Sequence, residues 1–158
     1  MAKQTGNSNI VLASGVFDLL HLGHVRFLEE AKQAGGTNAK LFVVIAKDST
    51  VEKLKGRKPI MSETQRCALV QSLRVVDKAV VGFEGLEIGE VIGKINPNII
   101  ALGYDQAGMT QEVKAYLARY KLPVSVVHIG RFGENTLDSS TKIKQSIIDK
   151  FSSNSVGL

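Results

Sequence analysis

The chain has few of the residues that several common kinds of site require. Cys67 is its one cysteine in 158 residues, which excludes an internal disulfide framework and a cysteine-rich zinc site. No apolar run approaches the roughly 20 residues of a membrane span, and the N-terminal MAKQTGNSN has no apolar signal core. Only 6% of the residues are aromatic, and they form no platform interleaved with basic residues. We therefore expect a cytoplasmic protein with neither a membrane nor a nucleic acid as its partner.

The charge balance is basic, with 20 Lys and Arg against 15 Asp and Glu and a net charge of +5. Such a balance suits nucleic acid or small anionic substrates. There is no long Lys/Arg tract and no recognition-helix pattern, so small anions are favoured. The length and the 44% hydrophobic content predict one domain, over residues 9–151, with flexible polar tails at residues 1–8 and 152–158.

Short apolar runs alternate with helical patterns along the chain, which predicts an α/β fold with a doubly wound, Rossmann-like sheet of five parallel strands. The predicted strands are residues 10–13, 40–46, 75–81, 98–102 and 124–129. The first predicted helix has His21 and His24 in its first turn and ends at Gly35-Gly36, and the second begins at the N-cap Ser62. A third is indicated by Leu86, Val91 and Ile95, and two more are predicted at about residues 110–120 and 140–151, with a short helical or looped basic piece at 51–56. In the second of these helices Ser62 and Gln65 form a capping-box pattern, and the inner face is expected to carry Ala68, Leu69, Ser72 and Leu73.

Ligands of doubly wound sheets bind outside the carboxyl ends of the strands. The segments predicted to lie there are residues 15–24, 47–58, 103–106 and 131–141. Residues far apart in the sequence should therefore converge on one cleft.

The segment GVFDLLHLGH, residues 15–24, is the strongest signal in the chain. His21 and His24 fall in the first turn of a predicted helix, where unpaired backbone N–H groups and the helix dipole favour a phosphate. Two imidazoles add hydrogen-bond donors, and Gly23 lets a triphosphate approach the backbone. Ordinary surface or capping histidines are the alternative, but two of the three histidines bracket this glycine, which favours a phosphate site.

Ser139, Ser140 and Thr141 form a second candidate phosphate site at the start of the last helix. Their hydroxyls and backbone N–H groups can receive the β- and γ-phosphates of a nucleotide. The alternative is a plain helix N-cap, which serine and threonine also provide.

Cationic residues follow the second predicted strand. Lys55, Arg57 and Lys58 could offset the negative charge of a phosphoryl-transfer transition state, or form a solvated basic loop. Lys47 and Asp48 come directly after the strand and are candidates for substrate contact.

Two carboxylates are further candidates. Asp105 follows the fourth strand and could accept ribose hydroxyls, or act only as a turn residue. Asp18 could contact substrate, or orient a histidine or a turn. His128 lies inside a strand and is interpreted as a core or edge residue.

Other phosphate-binding motifs are missing, since the chain has no G-x-G-x-x-G and no G-x-x-x-x-G-K-[ST]. The sequence shows no metal-ligand cluster either. We therefore expect a divalent cation, Mg²⁺, to be carried by the phosphate groups of a triphosphate ligand rather than by the protein.

The motif at residues 15–24 resembles the His-x-Gly-His signature of the cytidylyltransferase-like nucleotidyltransferases, and DSSTKI, residues 138–143, is similar to their second motif. The segments GRKPIMSETQR, SLRVVDKAVVG and NPNIIALGYDQ, at residues 56–66, 72–82 and 96–106, most resemble archaeal FAD synthetases, over about residues 9–151. Relatives carry an arginine near Arg66, which could instead pair with Glu63 on the helix surface. Class I aminoacyl-tRNA synthetases share the histidine motif, but the chain is too short to be one.

The resemblance implies transfer of AMP from ATP to FMN, giving FAD and pyrophosphate, by an enzyme whose relatives are commonly homodimers. The catalytic residues would be His21, His24, Lys55 and Thr141. The nucleotide would contact Gly15, Val16, Phe17, His21, Leu22, Gly23, His24, Gly103, Asp105, Ser139, Ser140 and Thr141. The phosphorylated acceptor would contact Asp18, Lys47, Asp48, Lys55, Arg57 and Lys58. Two alternatives stay open, a CTP-dependent transferase acting on a phosphoalcohol such as glycerol 3-phosphate, and a nucleotide-binding regulatory domain without catalysis.

Overall fold

A computed structural model describes residues 8–82, 87–132 and 137–152. Its parallel strands are β1 (Ile10–Gly15), β2 (Lys40–Ile45), β3 (Lys78–Val81), β4 (Ile99–Gly103) and β5 (Ser125–Ile129). They form one five-stranded sheet in the order β3-β2-β1-β4-β5. The predicted fold class is confirmed. The predicted tails fall mainly on residues 1–7 and 153–158, which lie outside the described residues.

Six helices connect or follow the strands in the described part of the chain. They are α1 (Leu22–Ala34), α2 (Asp48–Lys55), α3 (Glu63–Gln71), α4 (Ile88–Ile95), α5 (Ala107–Tyr120) and α6 (Ser140–Ser152). None of the helices in these ranges has both the length and the apolar character needed to cross a membrane.

Strand β1 is the centre of the sheet. Its Ala13 pairs with Val43 of β2 on one side and with Ala101 of β4 on the other. The chain builds outward from β1 to β3 and then returns to place β4 on the opposite side of β1. The resulting switch point opens a crevice at the carboxyl ends of β1 and β4, where this type of sheet binds ligands.

The sheet is covered on both faces, as the alternation along β1 shows. Val11 and Ala13 belong to the cluster that contains Leu28 of α1 and Val70 of α3. Leu12 belongs to the other cluster, which contains Val91 and Ile92 of α4 and Val113 and Leu117 of α5. Burial on both faces explains why β1 reads as a continuous apolar run rather than an alternating one.

Strand β3 is shorter than predicted, because residues 75–77 form its approach. The backbone N–H of Asp77 donates to the carbonyl of Leu41, and its carboxylate accepts from the N–H of Leu41 at 2.8 Å and from Lys32 at 2.7 Å. Asp77 thus fastens the start of β3 to β2 and α1. An apolar pattern cannot reveal this side-chain contact.

The inner face of α3 also differs from the prediction. Ala68 and Ser72 are exposed, whereas Arg66 and Val70 are buried. The pattern of apolar residues predicts the wrong buried face of α3 because one of the buried side chains of this helix is an arginine. The predicted N-cap is confirmed, since the Ser62 hydroxyl accepts from the N–H of Gln65.

Helix α6 has no fully buried residue. Ionic contacts hold its first turns, with Lys144 Nζ 3.1 Å from Asp18 and Lys142 Nζ 2.7 Å from Asp138. The start of α6 is therefore tied to the loop after β1 and to its own N-terminal approach.

Candidate active site

The loop after β1 is a tight turn that aims the chain at the crevice. Phe17 and Leu19 both have positive φ values, 54° and 49°. The Phe17 ring is buried and lies 5.2 Å from the His24 ring, between centroids. A Cβ on Gly15 would come within 2.9 Å of the Phe17 ring. The Phe17 side chain therefore belongs to the core. A nucleotide at this predicted binding segment could contact its backbone but not the Phe17 ring.

The two histidines lie together, as the sequence predicts. His21 is the N-cap of α1 and His24 lies in its first turn, and their rings stack with centroids 3.7 Å apart. His24 Nδ1 accepts from the backbone N–H of His21 at 3.4 Å. A neutral imidazole with Nδ1 as acceptor carries its proton on Nε2, so His24 can donate one hydrogen bond from Nε2.

Burial controls the charge of this pair. It lowers the pKa of His24 to about 3, helped by the neighbouring His21 and opposed by the negative charge of Asp18. Burial also lowers the pKa of His21, against the opposing charge of Asp138. At neutral pH His24 is thus an uncharged hydrogen-bond donor rather than a cation or an acid.

Gly23 has a packing role beside the predicted phosphate access. A Cβ at this position would lie 2.8 Å from the carbonyl oxygen of Asp138 and 3.0 Å from the His21 ring. Real Cβ atoms do not approach a carbonyl that closely, so only glycine lets α1 contact residue 138 without displacement. Leu22, beside it, is exposed at the start of the helix.

Asp18 is a buried carboxylate that supports the loop. It accepts from the backbone N–H groups of Ile60 at 2.9 Å and Met61 at 3.0 Å, and it pairs with Lys144. Burial raises its pKa, but these hydrogen bonds and the charge of Lys144 outweigh burial and hold the pKa below its ordinary value. The geometry fits the orienting role considered above, and direct substrate contact by Asp18 stays a prediction.

The predicted substrate-binding residues after β2 lie in two settings, some at the start of α2 and others exposed at or after its end. Lys47 is the N-cap of α2, and Asp48 pairs with Arg66, their atoms 2.6 Å apart. Lys55 ends α2, before Gly56 with φ 71°, and is exposed together with Arg57 and Lys58. These three side chains are available to an anionic ligand, apart from a 4.0 Å contact between Lys58 and Glu52.

Arg66 is the structural residue that the sequence analysis underestimated. Its side chain is completely buried and donates to the carbonyls of Met61, Val16 and Ala46 as well as to Asp48. The suggested surface pair with Glu63 is wrong, because Glu63 accepts from the backbone N–H of Asp48 instead. Arg66 joins the ends of β1 and β2 to the segment before α3. Its spacing of four residues from Val70 is the one signal that could have indicated its burial.

Gln106 ties together the ends of the two central strands and was not predicted to do so. Its Oε1 accepts from the N–H of Gly103 at 2.7 Å, and its Nε2 donates to the carbonyl of Ser14 at 3.1 Å. Asp105, predicted to bind ribose, lies beside it with an exposed side chain. The end of β4 therefore combines a fixed backbone with an accessible carboxylate.

At the start of α6, Ser139 acts as an N-cap, because its hydroxyl accepts from the N–H of Lys142 at 3.3 Å. The capping alternative considered for this motif is thus present in the structure. Ser140 and Thr141 occupy the first turn, Ser140 half-buried and Thr141 exposed. Their backbone N–H groups are among those that a helix start leaves without helical partners.

His128 occupies an exposed position of the edge strand β5, in line with its interpretation above, and Cys67 is half-buried against the core. Within residues 8–82, 87–132 and 137–152, no three His, Cys, Asp or Glu side chains are grouped so as to hold a metal ion.

Residues 12–146 match the model of the cytidylyltransferase-like family. The chain is 44% identical over 137 residues to the FAD synthase of Methanobrevibacter smithii, covering 87% of this chain and 89% of that protein. It is 42% identical over 140 residues to the FAD synthase of Aciduliprofundum boonei, covering 89% and 91%.

A solved structure from Thermoplasma volcanium, described as a lipopolysaccharide core biosynthesis protein, superimposes with a TM-score of 0.72 at 39% identity, covering 80% of this chain and 99% of that one. Sequence and fold lead to the same assignment: the chain belongs to the cytidylyltransferase-like family, and within it to the group of archaeal FAD synthases.

Proposed function

We propose that the protein transfers AMP from ATP to FMN and releases FAD and pyrophosphate. The observation that carries this function is the identity of 42 to 44% to FAD synthases over most of both chains. FAD is FMN extended by AMP, so the reaction needs a nucleotide donor and a phosphorylated acceptor in one cleft. The CTP-dependent alternative is not favoured, because these relatives are FAD synthases.

In the reaction, an oxygen of the FMN phosphate attacks the α-phosphorus of ATP. A new phosphorus–oxygen bond forms there, the bond from the α-phosphorus to the bridging oxygen breaks, and its electron pair leaves with pyrophosphate. The attacking phosphate is already anionic and the leaving group is stable, so the protein has little proton transfer to perform. Catalysis then depends on positioning and on stabilising charge.

His24 suits this requirement because it is neutral and already oriented. A donor fixed by the backbone N–H of His21 need not reorganise when negative charge develops on the phosphates. With the stacked His21 and the start of α1, it forms the proposed binding surface for the reacting phosphates. Because burial lowers the pKa of His24 to about 3, we assign it hydrogen bonding rather than proton transfer.

The remaining predicted residues take roles consistent with their positions. Lys55 and Arg57, both with exposed side chains, would meet the phosphate of FMN. Ser140 and Thr141 would receive the leaving pyrophosphate at the start of α6, and Asp105 the ribose of ATP. A divalent cation, Mg²⁺ in this proposal, accompanies the triphosphate and offsets its charge.

The test is to incubate the purified protein with Mg²⁺, ATP and FMN, and to follow FAD by chromatography and pyrophosphate by a coupled assay. CTP with glycerol 3-phosphate is the matched alternative pair. Formation of FAD from ATP and FMN, with no pyrophosphate released from CTP and glycerol 3-phosphate, supports the proposal. Pyrophosphate only from CTP and the phosphoalcohol would contradict it, as would nucleotide binding with no product from either pair.

A histidine variant tests the mechanism within the same assay. Replacing His24 by Gln removes the oriented imidazole, and loss of one preorganised donor typically lowers kcat by about 100-fold to 1000-fold. His128→Gln, at an exposed position of β5, is the control and should retain full activity. Equal activities of the two variants would refute the assignment of His24. The expected homodimer stays a prediction, which light scattering on the same sample checks.

A further inference from the structure

Asp138 is a buried carboxylate for which the proposed chemistry has no direct use. Its side chain is only 4% exposed, yet it contacts two cations that are about half exposed. Lys142 Nζ lies 2.7 Å from Oδ1, and Arg131 Nη2 lies 3.4 Å from Oδ2. Lys142 lowers its pKa most, burial opposes this, and the charges of Lys142 and Arg131 add to the lowering, so the group stays ionised.

The same residue lies close to the histidine pair. The carbonyl oxygen of Asp138 packs against Gly23, the glycine that lies between His21 and His24 in the sequence. The His21 Nδ1 atom is buried and has no hydrogen-bond partner within the described ranges. The negative charge of Asp138 acts on His21, where it opposes the effect of burial on the pKa. Asp138 thus lies directly beside the proposed phosphate site.

Arg131 extends these contacts to the other side of the crevice. Its guanidinium carbon lies 5.7 Å from the centroid of the Tyr104 ring, and Tyr104 directly follows β4. One connected set, Tyr104, Arg131, Asp138 and Lys142, therefore spans the ends of β4 and β5 and the start of α6.

A fixed negative charge next to a triphosphate site is unfavourable by itself, because like charges repel. The cost is offset if the carboxylate orders cations that the triphosphate needs. Free lysine and arginine side chains lose rotamer freedom when they are held in one conformation, which opposes binding. A cation already held in place by a buried partner loses less on binding, which increases its contribution to affinity.

We infer that Asp138 is a positioning residue that holds Arg131 and Lys142 toward the β- and γ-phosphates of the bound nucleotide. The inference rests on the proposed function only in taking a nucleoside triphosphate as the ligand, and it holds whatever the acceptor. It assigns Asp138 no contact with the reacting atoms. Its consequence is that the lysine and the carboxylate act as one unit in nucleotide binding.

The test is a double-mutant cycle on the binding of ATP with Mg²⁺, measured by calorimetry. In the wild-type background Lys142→Met should weaken ATP binding at least about fivefold, because it removes a positioned cation and leaves Asp138 facing the triphosphate. In the Asp138→Asn background the same change should weaken binding less than about twofold. Lys150→Met, on the last turn of the same helix, should change nothing in either background.

A purely structural role of Asp138 would give a different result. It would make the two substitutions independent, so an equal factor for Lys142→Met in both backgrounds overturns the inference. So does an absence of ATP binding by the wild type. If Asp138→Asn does not fold by circular dichroism, the Asp138→Ser variant replaces it, and Arg131→Met alone in the wild-type background must still weaken ATP binding about fivefold.

The wild-type FAD assay is run beside the cycle and separates the two proposals. Absence of FAD with coupled ATP binding contradicts only the proposed function, and absence of FAD with additive binding contradicts both proposals. FAD formation with additive binding contradicts only the role of Asp138.

Discussion

The charge state of His24 makes stability depend on pH in a way that can be measured without any ligand. Burial and the adjacent His21 lower its pKa from 6.5 to about 3, against the opposing charge of Asp18. The unfolded chain takes up a proton on this residue near pH 6.5, whereas the folded chain does so only near pH 3. Between these values the unfolded state binds more protons, so the free energy of unfolding falls as the pH falls.

The size of the effect follows from the width of that window. Each pH unit inside it corresponds to about 1.4 kcal/mol, so acidification from about pH 6.5 to about pH 4.5 should remove about 2 to 3 kcal/mol through His24 alone. Above pH 6.5 this contribution is fully present. Asp18, Asp77 and Asp138 have pKa values below their ordinary 3.8 and so lose their contributions at lower pH than this range.

The assay is urea unfolding followed by far-UV circular dichroism at several pH values, on the wild type, His24→Asn and His128→Asn. His24→Asn cannot titrate, so its free energy of unfolding should fall by about 2 to 3 kcal/mol less than that of the wild type over this range. His128→Asn, on the exposed edge, should follow the wild type. If the wild type and His24→Asn lose the same free energy, His24 is not held neutral by burial, and its assignment as an uncharged donor is wrong.

Three further predictions concern packing. Arg66→Met should lower the free energy of unfolding by about 3 to 5 kcal/mol, because the buried acceptors of this guanidinium lose their hydrogen-bond donor. Arg74→Met on the exposed surface should change the free energy of unfolding little, and urea unfolding compares the two variants. Gly23→Ala should lower kcat for FAD at least about tenfold by pushing α1 away from Asp138, and a rate equal to that of the wild type would show that the contact is not needed. Gly93→Ala, inside α4 where an added Cβ meets nothing within 4 Å, should raise stability by about 0.5 to 1 kcal/mol in the same unfolding assay, and a loss would contradict the open space described there.

The strands and helices that carry the site, and the proximity of its two histidines, were largely predictable from the sequence. The run Ile10–Ala13 identifies a strand buried on both faces, and His21 and His24 are three residues apart at the start of a helix, so their proximity follows from helix geometry. Because parallel strands place their carboxyl ends on one edge, the cleft was predictable too. Such inferences succeed because they depend on local periodicity and on the general topology of α/β sheets.

The interactions that support the site were not predictable in the same way. Arg66 reads as a surface arginine of α3, yet it is buried among carbonyls from three separate segments. Asp18 reads as a candidate ligand, yet its oxygens bond to residues 42 and 43 positions further along the chain and to Lys144. Both contacts join residues that are distant in sequence, so no local pattern contains them.

The order of residues in this chain is sufficient to specify most of the strands and helices, the parallel α/β class of the fold, and that the histidine motif starts a helix. Those properties depend on hydrophobic periodicity, glycine positions and helix-capping chemistry, each of which acts over a few residues. The neutral state of His24, the burial of Arg66 and the cluster around Asp138 arise only when the sheet and helices pack together. Solvent exclusion and long-range ion pairing set these properties, and both depend on which atoms the fold brings into contact.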